Sequence, residues 1–359
     1  MKRKVFLFVL AAAVAVLLSS CSNISTFSGG IPGDPEGVSE PTSWGNDVQM
    51  ALSIDKTLSL TPLTLQDYNR IKLSFLGYTP PDDVNEDNFK VFEDGKAQGF
   101  LLEKVSRVRN KVDIVFIVDV TGSMGEEING VKSSMINFIN GLESSGLDAK
   151  VAIVPYDDYV PTKDYTYSPP WLDLSNLSDA SSYVGDLIAA GGGDFPENAY
   201  GAIMYAWNNV SWRPDSQRIF ILLTDALSHY KGDSTWENWE TYGGDQPFDP
   251  AYTKEEVISA LSGYATLYMV ASTGYYSSSD TDYSNLGDPR EIAVRTGGFV
   301  IYQSGSEEVD LSSIGLTEAI TSSYIITFES DSPVGTHTIS VYYEGSDGKQ
   351  SYKEIQMNY

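Results

Sequence analysis

The sequence predicts an α/β fold, a doubly wound and mostly parallel sheet over residues 110–320, inserted in a β-sandwich made by the flanking segments. Three observations predict it. Residues 112–118 form an apolar run interrupted only by Asp113, as expected of a parallel strand covered on both faces. Further apolar runs at 150–154, 218–223, 266–271 and 298–302 alternate with stretches of helical spacing, the pattern of an open α/β sheet. The flanks, in contrast, carry short strand-like runs at 71–76, 89–92, 324–328, 337–343 and 352–357, punctuated by Pro80-Pro81-Asp82, Glu93-Asp94-Gly95 and Ser346-Asp347-Gly348 turns. Neither flank looks sufficient for a sandwich alone, so shared pairing is expected, since unpaired strand edges invite aggregation.

The elements follow in chain order. Lys2, Arg3 and Lys4 precede the apolar run 5–18, which is too short for a comfortable bilayer span and reads as a secretory signal over 1–20. Leu18-Ser19-Ser20-Cys21 resembles the lipobox of bacterial lipoproteins, and that resemblance implies a diacylglycerylated Cys21 after cleavage. Two or more acyl chains make an anchor where one gives marginal binding. Residues 21–46, rich in Ser, Gly and Pro, then read as a flexible tether. The sandwich is expected to draw on two segments, 47–109 before the inserted domain and 321–359 after it. In the inserted domain, helices are expected at 126–142, 180–190, 197–209, 254–264, 289–295 and 306–319. In the first of these, Ile128, Val131, Met135, Phe138, Ile139 and Leu142 fall at spacings of three and four.

Composition excludes several functions. The 359 residues hold 23 Lys+Arg against 49 Asp+Glu, a formal charge of −26, which opposes capture of a phosphate backbone; nucleic acid is not an expected partner. Removing the segment before Cys21 takes the charge to −29, so lipid and not charge must hold the chain at an anionic membrane. One cysteine makes no internal disulfide or thiolate zinc site, and His229 and His337 read as ordinary surface or strand residues.

Three loops at the carboxyl ends of predicted strands carry hard oxygen donors. The first strand runs into Asp119-Val120-Thr121-Gly122-Ser123-Met124, where a carboxylate and two hydroxyls can converge on Mg2+ or Ca2+. The second loop, Gly193-Asp194-Phe195-Pro196-Glu197, opens a helix, and the third is Thr224-Asp225-Ala226. A doubly wound sheet places its ligand crevice at these strand ends.

On these words, residues 110–320 resemble a von Willebrand factor type A domain with a metal-ion-dependent adhesion site. The resemblance implies that Asp119, Thr121 and Ser123 surround a divalent cation, Mg2+ first and Mn2+ or Ca2+ as alternatives, with Asp225 near it through water. The Asp-Phe-Pro-Glu form of the second loop is similar to that of integrin β subunits, which implies Glu197 as a ligand and Asp194 as the second choice. Glu126, Glu127, Asp157 and Asp158 are candidates for an adjacent metal, against the plainer reading of the two glutamates as helix-dipole partners. The segment 230–252, with Trp236, Trp239, Tyr242 and Phe248 among acids, borders the third loop and reads either as a recognition surface, carbohydrate included, or as rings packed on their own domain.

The expected function is therefore an envelope-anchored, metal-dependent binding or adhesion module that takes an Asp or Glu from a protein partner, on the outer membrane if the cell has two. A metal-assisted hydrolase or phosphotransferase is the rival class. Against it, Thr121 stands where aspartate-based phosphatases carry a second aspartate, and the metal loops hold neither lysine nor a histidine base. A structural lipoprotein whose metal only braces the fold is the third.

Overall fold

The computed structural model describes residues 30–57, 68–125, 128–161, 170–192, 195–233, 252–272, 275–303, 311, 315–332 and 334–358. The signal segment and Cys21, Glu126, Glu127, Asp194 and residues 234–251 lie outside them.

The central strand β6 (Lys111–Asp119) shows why the fold forms. Val112, Ile114, Phe116 and Val118 face the helices Ile128–Ser144 and Leu316–Thr321, while Val115 and Ile117 face Ala199–Asn209 and Lys254–Leu261. Every residue from 112 to 118 is fully buried, so the run is apolar on both faces because both are covered. Phe116 meets Phe138 edge to face at 5.9 Å, an anchor whose truncation to alanine costs about 3–5 kcal/mol. Around β6 the sheet runs in the order β11 (Val300–Gln303), β10 (Thr266–Ser272), β9 (Gln217–Thr224), β6, β7 (Asp148–Tyr156), β8 (Leu172–Ser175). All neighbours are parallel except β8, which pairs antiparallel at the edge.

The flanks make one sandwich. Its first sheet is ordered β1 (Gln49–Ile54), β2 (Tyr68–Leu76), β12 (Tyr324–Glu329), β5 (Phe100–Lys104), so a strand from beyond the insertion sits between two from before it. The second is ordered β14 (Gln350–Asn358), β13 (Thr336–Glu344), β3 (Phe89–Glu93), β4 (Lys96–Ala97), again mixing the flanks. Ile71, Leu73 and Phe75 from one sheet and Val91, Ile339, Val341 and Tyr343 from the other fill a shared core at the two-residue period of strands.

The sandwich docks at the end of the sheet where β6 begins. Buried Asp55, just after β1, pairs with buried Arg109, and Lys56 N donates to the carbonyl of Gly263 at 2.8 Å. Gly297 fits there because its φ is +79° and a Cβ would lie 2.4 Å from that of Ser53.

Two expectations need correction. The tether over 21–46 is not free in its described stretch: Asp34 accepts from Gly99 N at 2.9 Å, Trp44 Nε1 donates to the carbonyl of Tyr343 at 3.0 Å, and Ser39 bridges Lys96. A polar, Gly-rich composition concealed one aromatic anchor, Trp44, which stands edge-on to Tyr342. The helix expected at 180–190 is Leu177–Asp186, because Asn176 caps it by accepting from Asp179 N. The helix expected at 306–319 lies largely outside the described residues, at 306–310 and 312–314; within them a helix spans Leu316–Thr321.

Candidate metal centre

Asp119 is the last residue of β6, and its carboxylate is fully buried. One oxygen, Oδ1, accepts from Thr121 N at 3.0 Å and Thr121 Oγ1 at 2.7 Å; the other accepts from Thr224 Oγ1 at 2.7 Å. Thr121 Oγ1 lies 2.9 Å from Ser123 Oγ, which donates to Asp225 Oδ1 at 3.3 Å. Four of the residues singled out by sequence are thus one continuous chain of oxygens. Thr224 opens the third loop without a role assigned by its sequence, and it is what orients the second oxygen of Asp119. Its signal is a hydroxyl at the end of β9, which neighbours β6 with Val118 opposite Leu223.

Backbone stitching brings the second loop to the same place. Ala190 N donates to the carbonyl of Val120 at 2.7 Å, and Gly122 N to that of Gly191 at 3.2 Å. Beyond the loop, Glu197 N donates to the carbonyl of Leu227 and His229 N to that of Glu197, so Glu197 is laced to the third loop as well. Asn198 then caps the helix Ala199–Asn209 through Gly201 N. A Cβ on Gly192 would sit 3.2 Å from Glu197 Oε1 and 3.3 Å from Thr121 Cβ, which sets the glutamate beside the first loop.

Electrostatics at this point are unbalanced. Glu197 is 3% exposed, and its Oε2 has no hydrogen-bond partner. Burial, then the charges of Asp119, Asp158 and Asp157 and a side-chain hydrogen bond with Asp158, push its carboxyl well above the ordinary carboxylate range. Burial likewise raises Asp119 to about 6 against the pull of its hydrogen bonds, and Asp225 is raised for the same first reason. None of Asp119, Glu197 and Asp225 has a lysine or arginine partner among the described residues. An orphaned buried oxygen among acids without a counter-charge, beside two hydroxyls, is a donor set that fits a hard divalent cation. The set depends on its hydroxyls: among the described residues no three carboxylates, imidazoles or thiols gather on one centre by themselves.

Asp157 and Asp158 follow β7 directly and are buried beside Glu197. Asp157 Oδ1 accepts from Tyr159 N at 2.7 Å, and a Cβ on Gly191 would meet its Oδ2 at 2.7 Å. The other candidates for an adjacent metal, Glu126 and Glu127, lie outside the described residues, as does Asp194. His229, expected as an ordinary surface or strand residue, lies in a loop and is fully buried, with Nδ1 3.0 Å from Asp233 Oδ2 and Nε2 4.0 Å from Asp158 Oδ1. Its backbone tie to Glu197 draws it beneath the rim. His337 lies on β13 with Nδ1 2.7 Å from Asp94 Oδ2.

Residues 113–234 match the von Willebrand factor A domain family. The inserted unit has a von Willebrand factor A-like fold. The chain is similar to the alpha-protein kinase vwkA of Dictyostelium discoideum, 29% identical over 150 residues, covering 40% of this chain and 23% of that protein. It is also similar to integrin beta-4 of Homo sapiens, 24% identical over 161 residues, covering 39% of this chain and 9% of that protein. The chain therefore spans less than a quarter of the length of either. A solved structure, the pilus adhesin SpaC of Lactobacillus rhamnosus GG, superimposes with a TM-score of 0.41 at 10% identity, covering 94% of this chain and 50% of that one.

Proposed function

We propose that this protein is an envelope-anchored docking module in which a divalent cation, Mg2+ first and Mn2+ or Ca2+ as alternatives, is held by Asp119, Thr121, Ser123, Glu197 and Asp225. Asp194 is a further candidate donor. The observation that carries this reading is Glu197 Oε2, buried and unpartnered against the hydrogen-bonded chain from Asp119 to Asp225. A bound cation supplies positive charge and a coordination position for a carboxylate from an Asp or Glu of a partner protein. The chain's own groups do the rest. Thr121 and Thr224 fix both oxygens of Asp119, the ties at Gly191 and Leu227 hold Glu197 in register, and exposed Ser123 and half-buried Asp225 form the outward rim.

The test is calorimetric titration of Mg2+, Mn2+ and Ca2+ into chelator-stripped protein, with Asp119→Ala and Glu197→Gln alongside, followed by capture from an envelope extract with and without Mg2+. Saturable binding weakened at least tenfold in both variants, with capture that needs the metal, is expected. Capture that persists in EDTA would favour a structural lipoprotein whose metal only braces the fold. Turnover of phosphate esters that requires Asp119 would favour the hydrolase or phosphotransferase.

A further inference from the structure

Beside the rim stand two aromatic rings that the packing leaves uncovered. Phe195 is 47% exposed and Tyr275 50% exposed, and their centroids are 4.9 Å apart at an interplanar angle of 54°. Single exposed apolar residues are ordinary on any surface, but these two meet each other next to the loop that carries Glu197. The remaining exposed aromatic among the described residues, Tyr264, is at the opposite end, under Lys56.

Their placement is built. Phe195 precedes Glu197 by two residues, so their Cα atoms are at most about 7 Å apart. Tyr275 stands edge-on to Tyr276 at 5.3 Å. Tyr276 is buried, donates its hydroxyl to the carbonyl of Ala226, the residue after Asp225, and has the Arg290 guanidinium 5.1 Å over its ring. One ring is thus tied to the loop of Glu197 and the other to the loop of Asp225.

We propose that Phe195 and Tyr275 form an apolar shelf that selects, in a partner polypeptide, an aromatic or large aliphatic side chain next to the acidic residue presented to the cation. The proposal rests on the carboxylate-docking reading above. Along a polypeptide, the residue beside an acid lies about 3.8 Å away, which brings its side chain within reach of rings this close to Glu197 and Asp225. A chain of formal charge −26 repels an approaching acid, and an apolar neighbour adds attraction that this field does not oppose. Aromatic side chains are also enriched in the interfaces of proteins with their partners.

The test uses the full chain in detergent against arrayed peptides carrying one central Asp with the adjoining positions varied, a second set with Asn replacing Asp, and immobilised neutral oligosaccharides, each in Mg2+ and in EDTA. Peptides with Phe, Tyr, Trp, Leu or Ile beside Asp should bind about tenfold more tightly than those with Gly or Ser, in Mg2+ only. Phe195→Ser and Tyr275→Ser, both at exposed positions, should keep the Mg2+ and Asp requirement, leave the melting temperature unchanged and flatten the ranking. A flat ranking in the unaltered protein, or one that survives the double variant, overturns the shelf and leaves the docking reading intact. Binding to the peptides indifferent to Mg2+ and to Asn overturns the docking reading and the shelf with it. Retention on the oligosaccharides that the two substitutions abolish overturns it in favour of carbohydrate stacking.

Discussion

Asp113 is the single charged residue between Val112 and Val118 of β6, and its neighbours explain it. Its two oxygens accept from Arg213 Nε at 2.6 Å, Arg213 N at 2.7 Å and Ser216 Oγ at 2.8 Å, while Arg213 also reaches Asp148. The carboxylate is completely buried, so deleting it leaves Arg213 Nε, Arg213 N and Ser216 Oγ without their acceptor, although Arg213 keeps Asp148. Asp113→Ala should destabilise the fold by about 3–5 kcal/mol in urea unfolding, without altering metal affinity in calorimetry. At this scale the sequence was uneven. Asp119, Thr121, Ser123 and Asp225 were legible because oxygen donors at fixed spacing follow apolar runs. Thr224 was not, because its task is a contact between adjacent strands 105 positions apart. The burial of His229 left no trace either, since an isolated imidazole has no periodicity.

At the scale of elements, strands covered on both faces announced themselves and edge strands did not. β8 is four half-buried residues paired on one side, too few to show a period. The joint between β1 and the start of β6 carries a pH dependence. Burial pushes the Asp55 carboxyl up, but the Arg109 guanidinium and the hydroxyl and N–H of Thr57 outweigh it and hold it below its ordinary value. A depressed carboxyl lends stability above its unfolded pKa, near 3.9, and loses it as pH falls through the folded value. Melting temperatures measured from pH 6 down to pH 2 should therefore show Asp55→Asn well below the unaltered protein at pH 6 and the two converging toward pH 2. A constant gap across that range would place the contribution elsewhere. The sandwich itself was legible as strands; that β12 enters between β2 and β5 was not, because register between distant segments depends on packing against Ile71, Leu73 and Phe75.

For the whole molecule, the formal charge of −26 and the apolar run 5–18 were read from the sequence alone, whereas the docking of residues 30–46 required the position of one tryptophan. The lipobox resemblance leads to a direct expectation. Expressed in a bacterium supplied with a clickable fatty acid, the chain should take up label and fractionate with membranes, and Cys21→Ala should abolish the label and release the protein. Labelling that persists in that variant would refute anchoring through Cys21.

The arm bound along β13 and β4 also limits geometry. With Asp34 and Trp44 fastened, only twelve residues separate Cys21 from the first of these attachments, a span of at most about 45 Å when drawn out fully. β6 runs nine residues from the sandwich joint to Asp119, so the rim stands some 25–30 Å from that joint along the strand axis. Under the proposed anchoring at Cys21, that leash sets how far from the bilayer the sandwich, and the rim with it, can stand.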